Sequence, residues 1–139
     1  MEQSSPTPWA QAVVSALTRA KATPGAVAPV MTESGGWSID WEGRHRGIPL
    51  WFTLYGHHAA PSAEVRISDW AFAPVALDQV EELLFKALSG DATLRRGMAG
   101  LGPWRLEIAV GDRLIANADR EGSGKPDGEW EQELLQEVR

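Results

Sequence analysis

The stretch GGWSIDWEGRHRGIPLWFTLY, residues 35–55, is the one whose pattern sets the fold class. Trp37, Ile39 and Trp41 alternate with Ser38 and Asp40, the period of a strand with one face buried and one face wet. The polar segment 42–47, bounded by glycines, reads as a loop, and the apolar run Ile48 to Tyr55 follows it as a second strand. In that run Ile48, Leu50, Phe52 and Leu54 share one face, while Trp51 and Tyr55 point to the other. Residues 56–61 interrupt the sheet, and Glu64 to Ser68 alternates again as a third strand. Three antiparallel strands in a meander are the simplest account.

Upstream, Thr7 can cap a helix with Pro8 at its first helical position. Trp9, Val13, Ala16, Leu17 and Ala20 then recur at helical spacing to about Lys21. Thr23-Pro24-Gly25 ends that helix, and a short extended piece spans Val27 to Thr32. Downstream the period changes: Leu77, Val80, Leu84 and Leu88 mark a second helix from about Val75 to Ser89, with Gly90 placed to end it. Residues 91–103 read as a long connection. Trp104 to Val110 and Arg113 to Asn117 form a hairpin around Gly111-Asp112, because glycine readily takes the positive φ such a turn needs. A glycine-rich loop leads to a last helix carrying Trp130, Leu134 and Val138. The expected fold class is α+β: an antiparallel sheet of about five strands with helices, in the order α-βββ-α-ββ-α, which excludes a doubly wound parallel sheet.

The 139 residues are expected to form a single domain, 1–139, with one core. Cysteine is absent, which removes disulfides, thiolate nucleophiles and Cys-ligated zinc, and suits a reducing cytoplasm. The first residues lack the basic start and apolar run of a signal peptide, and no apolar stretch is long enough to span a bilayer, so a cytoplasmic protein without a membrane role is expected. A net charge of −6 argues against tracking phosphates. From Asp119 to Arg139 seven acidic residues stand against three basic ones, giving −4 in that segment, which reads as a solvated helix face or, in the functional reading, as a surface that prefers basic partners.

Candidate chemistry is sparse, and neither a catalytic residue nor a cofactor is expected. His57 and His58 could ligate a metal if Glu64 or Asp69 came close, but adjacent residues on an extended chain face opposite ways, so no metal site is expected. His45 lies between Arg44 and Arg46 in the presumed loop, a poor setting for a general acid. Asp40 and Glu42 pair two carboxylates without an evident electrophile or base. Neither a Gly-x-Ser-x-Gly elbow nor a phosphate-binding glycine loop is present. Arg44, His45 and Arg46, and separately Arg95 and Arg96, could with Trp37, Trp41 or Trp51 imitate a stacking platform for single-stranded nucleic acid. Most of Trp37, Trp41, Trp104 and Trp130 are expected in the core, whereas Trp51 and Tyr55 could form an exposed apolar patch.

The order of elements, the length, the acidity and the Gly111-Asp112 hairpin resemble the type III secretion chaperone fold, and within it the bacterial YbjN family, over Trp9 to Val138. The resemblance implies a non-enzymatic homodimer that holds a segment of a client protein, in the YbjN case with a broad link to stress responses. It places the dimer contact on the second helix and neighbouring strand, here Leu77, Val80, Leu84, Leu88, Leu106 and Ile108. Client contact falls on helix 1, here Trp9, Val13 and Leu17, and on the first strands, where Trp51 and Tyr55 stand out. Two rival classes remain: a small-ligand or hydrolytic domain with a pocket between sheet and second helix, and accessory binding of single-stranded nucleic acid.

Overall fold

The computed structural model describes residues 6–23, 27–45, 48–68, 70–96, 104–117 and 131. Helix α1 (Thr7–Arg19) is followed by five strands: β1 (Val30–Met31), β2 (Gly36–His45), β3 (Ile48–His57), β4 (Ser62–Ile67) and β5 (Trp70–Ala76). Helix α2 (Leu77–Leu88) precedes β6 (Thr93–Arg96), β7 (Trp104–Val110) and β8 (Arg113–Asn117). Strands β1 to β5 form one antiparallel meander in chain order, and β6, β7 and β8 form a second antiparallel sheet. The architecture is α+β, with a five-strand antiparallel sheet and two described helices.

Several strand boundaries depart from expectation: β3 runs on through Gly56 and His57, and three further departures have an identifiable reason. Residues 42–45 extend β2 instead of opening a loop, pairing Glu42 with Trp51 and His45 with Ile48. Gly43 is there for room: a Cβ would stand 2.8 Å from the Trp41 ring. The segment from Trp70 to Ala76 is β5, a strand that the sequence pattern does not predict, and it contains Pro74. Among the described residues β5 pairs within its sheet with β4 alone, and an edge strand tolerates a missing backbone donor on its open side. Thr93–Arg96 forms β6 within the presumed connection, because Leu94 pairs with Leu106 of β7 and is buried. The last expected helix lies outside the described residues apart from Glu131.

The helices end as their termini require. At α2, Gly90 takes φ 75° and its N–H bonds the Ala87 carbonyl at 3.3 Å, while Asp91 N–H bonds Lys86 at 2.9 Å. At α1 the same motif is closed by Lys21 at φ 62°, with Ala22 N–H reaching the Leu17 carbonyl at 2.8 Å. The two helices pack on each other, and α2 also meets β4, β5 and β7. Trp9 of α1 meets Trp37 of β2 with ring centroids 5.3 Å apart. Buried side chains from both helices and both sheets form one contiguous cluster, and no buried side-chain nitrogen or oxygen among the described residues lacks a partner. No helix among the described residues is long and apolar enough to cross a membrane.

Candidate functional site

The pairing register decides which side chains share a face. Trp37, Ile39, Trp41, Leu50, Phe52 and Leu54 point to the helix side and are buried. On the opposite side β2 presents Asp40, Glu42 and Arg44, β3 presents Trp51, Thr53 and Tyr55, and β4 presents Glu64 and Arg66. Glu42 stands directly across from Trp51, Asp40 across from Thr53, and Glu64 across from Tyr55. Trp51 and Tyr55 remain 37% and 47% exposed. Four residues of strand separate them by about 13 Å, far enough to meet different side chains of an extended partner.

Between the two aromatics the face is braced. Thr53, itself buried, donates its hydroxyl to Asp40 Oδ1 at 2.7 Å. Arg66 Nε donates to Glu64 Oε2 at 2.7 Å, and its guanidinium lies 5.8 Å from the Tyr55 ring centroid. Glu42 is exposed, and among the described residues no hydrogen bond or ion pair engages it. The polar composition of residues 42–47 hides this grouping in the sequence, because it reads as a loop. Continuing the alternation past Trp41 puts Glu42 on the outer face of β2, and the register alone sets it across from Trp51.

The other expected contact residues lie elsewhere. Trp9, Val13 and Leu17 are buried on the core side of α1, where Trp9 packs on Trp37. Val14 of that helix is exposed. Val80, Leu84, Leu88, Leu106 and Ile108 are likewise enclosed by the chain's own core and present no surface to a second copy; Leu77, at the start of α2, is exposed. Between sheet and second helix, Val65, Phe72, Val80 and Leu84 are buried within the core. Two clefts border α1 instead. One of about 620 Å³ separates it from Val27, Ala28 and Pro29, next to exposed Val30 and Met31. A groove of about 410 Å³ separates α1 from α2, where Arg19 pairs with Glu81 at 2.9 Å.

The histidine pair is structural in its visible contacts. β3 ends at His57, so the alternation expected of neighbours stops there and the two rings lie 4.4 Å apart. His57 Nε2 donates to the Ser34 carbonyl at 2.8 Å while Nδ1 accepts the Ala59 N–H at 3.1 Å, and His58 Nδ1 donates to the Gly35 carbonyl at 3.1 Å. Together they fasten the β1–β2 turn to the end of β3. Among the described residues no group of three or more His, Asp or Glu side chains could hold a metal, and Asp69 lies outside them. Trp37 and Trp41 sit in the core, away from Arg44, so they supply no stacking surface for nucleic acid. Arg46 and the side chains of His45, Arg95 and Arg96 lie outside the described residues.

No protein-family model matches this chain, and neither does any curated protein or solved structure.

Proposed function

We propose that this chain acts by binding another protein, as a non-enzymatic adaptor or chaperone-like molecule that holds an extended client segment across the outer face of its five-strand sheet. The observation that carries this is the exposure of Trp51 and Tyr55 together on a sheet face opposite both helices. Large amphipathic rings held on a rigid strand offer contact area at little entropic cost, and such residues dominate the binding energy of many interfaces. The resemblance to YbjN-like chaperones supports the same function through the alternation of helix, antiparallel strands, helix and antiparallel strands. β1, β5 and β6 depart from that group's pattern by adding two strands before α2 and one after it.

Affinity capture from a native lysate tests the proposal, with Trp51→Ala compared at matched expression and with an unchanged circular dichroism spectrum. One or two proteins bound by the wild type should fall by at least about tenfold with the variant, as for an interface anchor. Equal recovery by both would move the contact surface away from β3. Nothing above background from either, across growth and stress conditions, would count against protein binding and favour a ligand screen of the cleft between α1 and Pro29.

A further inference from the structure

The outer sheet face carries two aromatic–carboxylate pairs in register, and one already holds a guanidinium. Across β3 and β4, Tyr55 stands opposite Glu64, and Arg66 occupies that pair with its guanidinium 5.8 Å from the ring and its Nε 2.7 Å from Glu64. Across β2 and β3, Trp51 stands opposite Glu42 with Asp40 on the diagonal, and no ion pair engages Glu42 among the described residues. Asp40 accepts one bond from Thr53 and keeps further lone pairs toward solvent. Arg44 continues β2 beyond Glu42, opposite Pro49.

We propose that the pair formed by Trp51 and Glu42 receives an arginine side chain of the partner, its guanidinium stacked on the exposed indole and bonded to the Glu42 carboxylate. The inference rests on the protein-binding function proposed above and names the chemistry of that site. Charge complementarity selects the occupant: the Glu42 carboxylate stands directly across from the indole, with Asp40 on one diagonal against Arg44 on the other, and an indole is the best aromatic surface for a cation. Arginine suits the position better than lysine, because a planar guanidinium can lie flat on the ring while its edge donates to a carboxylate. An apolar residue would leave Glu42 partly desolvated without a partner.

The test is a titration followed by ¹H–¹⁵N correlation spectra of the indole N–H groups, with the Trp51 signal assigned from Trp51→Phe. The probes are the capped peptide Gly-Arg-Gly-Arg-Gly at millimolar concentration and the same peptide with citrulline, a neutral planar isostere, replacing arginine. The arginine peptide should shift the Trp51 signal saturably and bind at least about fivefold more tightly than the citrulline peptide. Glu42→Gln, a change at an exposed position, should remove most of that difference and leave the other indole signals in place. Equal shifts from both peptides, or an arginine response unchanged in Glu42→Gln, would overturn cation selection while leaving the face as a docking surface. No shift at Trp51 from either peptide would also overturn it, and the fate of the protein-binding proposal would then follow from the capture comparison alone.

Discussion

Lys21 takes φ 62° at the end of α1, a conformation that side chains with a Cβ rarely adopt. Its N–H and that of Ala22 close the last turn onto Thr18 and Leu17, so the geometry is imposed by the helix terminus. Lys21→Gly is therefore expected to stabilise the protein by about 0.5–1 kcal/mol, the relieved backbone strain less glycine's greater freedom when unfolded. Urea denaturation measures this, and a lower midpoint would show that the Lys21 side chain contributes more than its backbone loses. Gly56 shows the reverse constraint. It stands across from Trp37, and a Cβ there would collide with the indole that α1 packs against through Trp9.

Strand β3 separates two kinds of residue within one element. Leu54 is fully buried among the core side chains, whereas Trp51, three residues earlier, lies 37% exposed on the other face. Leu54→Ala should cost about 2–5 kcal/mol, the lost transfer energy plus the cavity left behind. Trp51→Ala should change stability by less than about 1 kcal/mol while weakening client binding. Thermal unfolding of the two variants side by side checks the contrast. A loss at Trp51 as large as that at Leu54 would make Trp51 a packing residue and remove the central anchor of the proposed interface.

Across the whole molecule, Trp70 ties distant parts of the chain together. Its ring is completely buried, and its indole N–H donates to Glu131 Oε2 at 2.8 Å, across 61 residues of sequence. Glu131, 2% exposed, thus belongs to the interior despite the acidity of its segment. Trp70→Phe, which keeps most of the ring and removes the donor, should destabilise by about 1–3 kcal/mol. Glu131→Gln retains a carbonyl acceptor and should be milder. Both are read from chemical denaturation midpoints, and a harmless Trp70→Phe would leave shape rather than the hydrogen bond as the reason for tryptophan there.

What the sequence determined by itself follows from local periodicity. The two faces of β3, the span of α1, the stripe and glycine stop of α2 and the Gly111 hairpin, with Gly111 at φ 59°, were all legible because each depends on residues within one turn or one strand. The tertiary structure alone decided what long-range pairing controls. Residues 42–45 became strand because β3 offered them partners, Pro74 was accepted because β5 lies at the edge of its sheet, and β6 exists through its pairing with β7. The candidate site divides in the same way. Trp51 and Tyr55 were visible as outward residues, but Glu42 joined them only when β2 ran on past Trp41, since a carboxylate's neighbour across a sheet is set by register, to which local pattern is blind.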